Sequence, residues 1–172
     1  SHYRGSDYRE LVASLEQNAR VERTDLTDGR VPAGTDLLLV MNPKALDDKA
    51  VFAIDQFLMR GGAVVIAGNQ YLLEQDPFSG QLQLRQLPGG ANVVVQPYGV
   101  TVGSELVMDP QNLPFVQAVT RRLSNGAEVR DYESFDYPFF IDVRSDGMSR
   151  TSPVTGTVPS VVLQWASPVL VG

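Results

Sequence analysis

Residues 37–41 read LLLVM, an unbroken apolar run of the kind found in strands buried on both faces. Asn42-Pro43 interrupts it. Over residues 46–60 the apolar positions change to helical spacing, with Leu46, Ala50, Ala53, Ile54, Phe57 and Leu58 on one side. Asp47 and Asp48 fall in the predicted first turn and Arg60 in the last, matching the helix dipole. Gly61-Gly62 ends the helix, because the terminating residue usually needs a positive φ. Residues 63–67 (AVVIA) form a second apolar strand, stopped by Gly68-Asn69. A strand, a helix and a strand between residues 36 and 70 predict a right-handed parallel crossover unit, and the chain is organised around it.

Before this unit, Ser6 or Asp7 caps a predicted helix whose apolar stripe is Tyr8, Leu11, Val12 and Leu15. Residues 19–26 alternate weakly and predict a strand, closed by the Asp28-Gly29 turn. No strand precedes the first helix, so the first strand of a doubly wound sheet either lies outside the chain or is replaced by a later segment, with residues 161–165 or 169–171 as candidates. After Gln70 the pattern loosens. Residues 71–75 read as a helical turn, and residues 76–80 (DPFSG) are a turn cluster. Residues 81–87 alternate as in a small exposed hairpin or an inserted loop. Propensity reads Val93-Val94-Val95 as strand, while Asn92 is a helix-capping residue, so periodicity leaves this segment open. Short strands follow at 105–108, 115–123, 127–134, 137–143 and 161–165, with Ser124-Asn125-Gly126 as a hairpin turn. The first half therefore reads as α/β and the second as mostly β.

Composition narrows the chemistry. The chain has 172 residues, enough for one domain with a real core, and 43% are hydrophobic and 20% charged, as in globular proteins. The net charge of −6, with Arg121-Arg122 as the only basic pair of note, argues against nucleic acid as a partner. With no cysteine there is no disulfide, thiolate metal site or cysteine nucleophile, and the single histidine, His2, leaves no Ser-His-Asp triad. No phosphate-binding glycine loop is present: Gly61-Gly62 and Gly89-Gly90 match neither dinucleotide nor P-loop spacing. Asp131, Glu133 and Asp136 lack the spacing of a calcium loop and read as a solvated hairpin face. No metal or other cofactor is expected.

Two constellations remain. Open α/β sheets bind ligands at the carboxyl ends of their strands, which here carry Asn42, Pro43 and Lys44, and then Gly68, Asn69 and Gln70. Asn42, Lys44, Asn69 and Gln70 are the candidate cleft residues, with turn formation as the competing role of the two asparagines. Phe135, Tyr137, Phe139 and Phe140, around Pro138, form either a partner surface or a core built from alternate residues. Trp165 reads as a core anchor.

Several of these segments together resemble the auxiliary component of uncharacterised ABC-type transport systems, a family that includes gliding-motility (GldG-like) proteins. The matching residues are Pro43-Lys44, Ile54-Asp55, Phe57-Leu58-Met59, Gly61-Gly62, Tyr98-Gly99-Val100, the run from Val107 through Asp109-Pro110-Gln111-Asn112, Tyr137-Pro138-Phe139-Phe140, and Trp165-Ala166-Ser167-Pro168. The similarity spans residues 8–170, and QDPFSGQLQLRQLPGG looks inserted. The resemblance implies a flavodoxin-like, class I glutamine amidotransferase-like fold: a doubly wound, mostly parallel sheet with a β-rich C-terminal half. It also implies that residues 92–98 are helical. Amidotransferase relatives use a cysteine nucleophile, and Ile66-Ala67-Gly68-Asn69 occupies the corresponding strand end without one.

The expectation is thus one extracytoplasmic (periplasmic) domain, residues 1–172, excised from an inner-membrane protein anchored by helices outside this chain. Its expected role is non-catalytic: an accessory to an ABC permease and ATPase, binding a transport partner or substrate. The alternative is a small-ligand or glycan-binding module using the cleft at Asn42, Lys44, Asn69 and Gln70. A hydrolase is the third reading, and it would need a base other than histidine.

Overall fold

Short connections force antiparallel pairing, while a helix of crossover length permits parallel pairing. Both regimes occur in this chain, one after the other. The computed structural model describes residues 8–43, 45–87 and 90–172. By internal contacts these divide into a first unit (residues up to 38, and 47–65) and a second (39–46 and 66–172).

In the first unit, α1 (Arg9–Leu15) buries none of its residues. The predicted caps Ser6 and Asp7 lie outside the described residues. The strand expected at 19–26 does not form. Here side chains satisfy the backbone locally instead: Thr24 Oγ1 accepts from the Leu26 N–H at 3.2 Å and Asp25 Oδ1 from the Thr27 N–H at 3.1 Å. Leu26 has φ +59° and is buried.

The crossover unit forms as its pattern predicts, with β1 (Leu37–Met41), α2 (Asp48–Met59) and β2 (Ala63–Ala67). β1 and β2 are the parallel pair. Asp47 is the N-cap of α2, and its Oδ1 accepts from the Ala50 N–H at 2.8 Å. At the other end the Gly61 N–H bonds the Leu58 carbonyl and the Gly62 N–H the Phe57 carbonyl, both at 2.9 Å. With Gly61 at φ +86°, this is a Schellman motif. Ala50, Ala53, Ile54 and Phe57 of α2 are buried, as are Leu38, Leu26 and Val31, and Ile54 is fully enclosed. β1 is buried on alternate residues rather than on both faces: Leu38 and Val40 are covered and Leu37 is exposed.

The second unit contains β3 (Tyr71–Gln75), β4 (Leu82–Gln86), α3 (Asn92–Val95), β5 (Val100–Val102), β6 (Phe115–Arg122), β7 (Glu128–Phe135), β8 (Phe140–Arg144), β9 (Ser160–Gln164) and β10 (Val169–Val171). A 3-10 turn (Gln96–Tyr98) continues α3, so residues 92–98 are helical against their β propensity. These strands pair antiparallel as β3-β4, β6-β7, β8-β9 and β5-β10. The protein is therefore a mixed α/β chain with several small sheets and a β-rich C-terminal half.

The expected flavodoxin-like, doubly wound sheet is not what forms: among the described residues only β1 and β2 are parallel. Among the described residues after β2 no helix is long enough for a crossover, α3 having four residues. The 76–80 and 124–126 turns return the chain directly onto the preceding strand. Residues 71–75 accordingly form a strand rather than a helical turn, paired in register from Tyr71↔Gln86 to Gln75↔Leu82. Residues 105–108 make no ladder. Neither candidate for a replacement first strand joins β1: β9 pairs with β8, and β10 with β5. Among the described residues no helix is long and apolar enough to cross a membrane.

Candidate functional site

At the strand ends, Asn42 leaves β1 with φ +46°, a conformation asparagine tolerates better than most residues, and its N–H bonds the Ala67 carbonyl. Pro43 is buried beside Gly68, where a Cβ would stand 3.0 Å from the proline Cδ and 3.4 Å from Ala91 Cβ. Asn69 is half-buried. Gln70 is 5% exposed, and its Nε2 donates to the Val102 carbonyl at 3.4 Å. The same carbonyl accepts from Asn92 Nδ2 at 2.9 Å, while Asn92 Oδ1 accepts from the Val102 N–H at 2.8 Å. Asn92 is thus a side-chain substitute for a ladder partner of β5 and not the helix cap its sequence position suggests: Ala91 stands at the N-cap, with no side-chain bond. Of the four cleft candidates, Gln70 is engaged with β5 and Asn42 forms the exit turn. Lys44 lies outside the described residues.

The second constellation is built by the run Asp109-Pro110-Gln111-Asn112. Asp109 Oδ1 accepts from the Gln111 N–H at 2.8 Å, closing an Asx turn that proline at the second position favours. Gln111 Nε2 donates to the Asp142 carbonyl at 2.8 Å, and the Asp142 N–H returns a bond to the Gln111 carbonyl at 3.0 Å. Asn112 Oδ1 accepts from the Tyr137 N–H at 3.1 Å, and its Nδ2 donates to Asp136 Oδ1 at 2.7 Å. The Leu113 N–H bonds the Phe140 carbonyl at 2.8 Å, and the Asp109 N–H the Pro138 carbonyl at 3.0 Å. Residues 109–113 therefore form a clip along the outer edge of β8 and the turn that leads into it.

The clip fixes an aromatic cluster. The Tyr137 ring lies 4.8 Å from Phe140, 5.6 Å from Trp165, 5.7 Å from Phe115 and 5.8 Å from Phe139. Most of these pairs meet edge to face, the arrangement the ring quadrupoles favour. Phe139 and Trp165 instead stack, with centroids 4.9 Å apart and planes 9° from parallel. Burial pushes the Tyr137 hydroxyl pKa above the ordinary tyrosine value. Tyr137, Phe139, Phe140 and Trp165 are all half-buried, with Ile141 as their buried neighbour in β8. Trp165 has φ +56°, an uncommon conformation for a bulky side chain. It is held there as its N–H bonds the Phe139 carbonyl at 3.0 Å, while the next residue's carbonyl accepts from the Val107 N–H at 2.9 Å.

The sequence reading named Tyr137, Phe139 and Phe140 correctly as neighbours but missed Phe115, and it placed Trp165 in a core. Phe135 ends β7 opposite Phe115 and is 42% exposed. The clip itself was also missed, although Asp-Pro followed by two amides is a readable turn signal. The acidic residues of the hairpin are engaged: Arg121 pairs with Asp131 at 3.2 Å and Glu133 at 2.5 Å, and Asp136 accepts from Asn112. Among the described residues no group of His, Cys, Asp or Glu is placed to hold a metal ion.

Comparison with known proteins gives one positive result. No curated protein and no solved structure matches the chain. A family model described as "ABC-type uncharacterized transport system" matches residues 2–171. With nearly the whole length covered, the chain belongs to this family of auxiliary components of ABC-type transport systems.

Proposed function

We propose that this chain is a non-catalytic, extracytoplasmic accessory domain that binds a transport partner or substrate of its ABC system. The observation that carries the reading is the use made of the Asp109–Asn112 run. Its side chains hold a half-exposed aromatic cluster in place rather than arranging a nucleophile and base. Aromatic anchors of this kind dominate interface energies. Tyr137, Phe139, Phe140 and Trp165 are the residues assigned to partner binding. The partners in this reading are the permease and ATPase of the same system, engaged by the full-length protein through membrane helices outside this chain, with the domain itself on the periplasmic side of the inner membrane. The order of the short motifs supports a gliding-motility type of system.

The test is co-purification of the full-length protein from membranes with its permease and ATPase. Stable association is expected, and Phe139→Ala or Trp165→Ala weakens it by about tenfold or more, as loss of an interface anchor does. Failure of the unmodified protein to associate overturns the reading.

A further inference from the structure

The β8-β9 ribbon has one closed edge and one open edge. On the β8 side, the Asp142 N–H and the Phe140 carbonyl bond Gln111 and Leu113 of the clip. Strand residues alternate in the direction of their backbone groups, so Ile141 and Val143 of β8 face β9. Their partners in the register are Leu163 and Val161. The backbone groups of Ser160, Val162 and Gln164 therefore point away from β8, toward an edge that no other strand occupies among the described residues.

This edge lacks the devices that keep free strands apart. β9 reads SVVLQ, with no charge and no proline, and Val161, Val162 and Leu163 are 38%, 36% and 44% exposed. The other exposed hairpins are charged: Glu74 and Arg85 in β3 and β4, and Arg121, Arg122, Glu128, Arg130, Asp131 and Glu133 in β6 and β7. β10 is also uncharged, but at three residues it offers a short ladder.

The β9 edge is self-complementary. We propose that the chain forms a two-fold dimer in which β9 pairs antiparallel with β9 of a second copy, with Val162 on the axis. In that register Val162 faces Val162 of the partner subunit, and Ser160 faces Gln164 of the partner subunit. These are the residues whose N–H and C=O groups are directed outward, so the backbone phase and the side-chain match select the same register. Val161 meets Leu163 of the partner subunit on the face that carries buried Ile141, extending one apolar stripe across both copies. No charged residue lies opposite another across the β9 pair. The interface is isologous and closes on itself, giving a four-stranded sheet ordered β8-β9-β9-β8. A lone two-stranded ribbon is marginal in water, and two further strands with an apolar face remedy this.

The test is sedimentation of the 172-residue chain at rising micromolar concentration, with three variants. Val162→Lys places two like charges on the axis. Val162→Pro removes the outward N–H and leaves the bonds to β8 intact. Val154→Lys, on an exposed loop residue, is the control. The unmodified chain and the control are expected to dimerise, and each Val162 variant weakens dimerisation by about tenfold or more while Trp165 fluorescence stays folded-like. Because the chain has no cysteine, Val162→Cys gives a second readout: mild oxidation yields a covalent dimer, and Val154→Cys does not. A chain that stays monomeric throughout overturns the proposal. So does a dimer indifferent to both Val162 variants, or a monomer that takes up an apolar strand peptide in place of a second copy.

Discussion

Asn112 bonds the Tyr137 main chain through its Oδ1 at 3.1 Å, and with its Nδ2 it reaches Asp136 at 2.7 Å. One amide therefore fixes the residue pair through which the chain enters the aromatic cluster. Replacing it by alanine leaves a part-buried N–H without its acceptor, at a cost of about 1–3 kcal/mol. Asn112→Ala is expected to lower the melting temperature, and the emission of Trp165, the only tryptophan, to shift red as the cluster loosens. Asn112→Asp keeps the acceptor but sets a carboxylate against Asp136, so it is expected to be at least as damaging at neutral pH. Equal melting curves for all three proteins would show that the clip is not what holds the cluster.

Gly62 is required for a different reason than Gly61. At Gly61 the demand is conformational, φ +86°, and Gly61→Ala is expected to cost about 1 kcal/mol. At Gly62 the demand is spatial: an added Cβ would sit 2.5 Å from the Phe57 ring. Gly62→Ala forces that buried ring to move, and overpacking of this kind costs about 1–3 kcal/mol. Phe57→Leu should partly rescue Gly62→Ala and leave Gly61→Ala unrescued. Chemical denaturation of the four variants checks this, and rescue of both glycine variants alike would refute the distinction.

These two cases show what could be read from sequence and what could not. Gly61-Gly62 and the apolar spacing of α2 act locally, within one or two turns, so their pattern was sufficient, although Asp47, read as a first-turn residue, is the N-cap. Residues 92–98 needed the family resemblance, because three valines favour strand and the bonds of Asn92 to Val102, ten residues on, leave no local signature. The doubly wound sheet was extrapolated from a single crossover unit and from the family resemblance, and neither fixes the pairing of strands that follow short turns. The aromatic cluster depends on pairs such as Phe139 with Trp165, far apart in the chain and joined by the β8-β9 register, which no periodicity encodes. At the strand ends the residue types were legible, but not that the Gln70 amide would turn to Val102.

That engagement gives a further prediction for the cleft. Asn92→Ala removes the acceptor of the Val102 N–H and one donor to its carbonyl, and is expected to destabilise the chain by about 2–3 kcal/mol. Gln70→Leu removes only the longer bond and should cost less. A thermal-shift screen with sugars and nucleotides then separates structure from recognition at this site. If the strand ends serve to hold β5, no ligand raises the melting temperature of the unmodified chain. A saturable rise that disappears in Asn69→Ala, with the melting temperature otherwise unchanged, would establish the ligand-binding alternative.

The β3-β4 hairpin should respond to acid through its turn. Asp76 Oδ1 accepts from the Ser79 N–H at 2.7 Å and the Phe78 N–H at 2.9 Å. These backbone bonds favour the ionised form and hold the carboxyl below the usual carboxylate range. A carboxyl with a depressed folded-state pKa binds fewer protons folded than unfolded, so it contributes stability above the unfolded value. That contribution is lost as pH falls through the folded one. The hairpin is therefore expected to loosen in acid, below the ordinary aspartate range, and to be indifferent to pH across the neutral region. Asp76→Asn retains an acceptor without the charge, so it should weaken the turn at neutral pH and remove this acid transition. Amide exchange at Phe78 and Ser79, followed against pH in both proteins, reports it directly, and an acid transition that survives in Asp76→Asn would assign the effect to a different carboxylate.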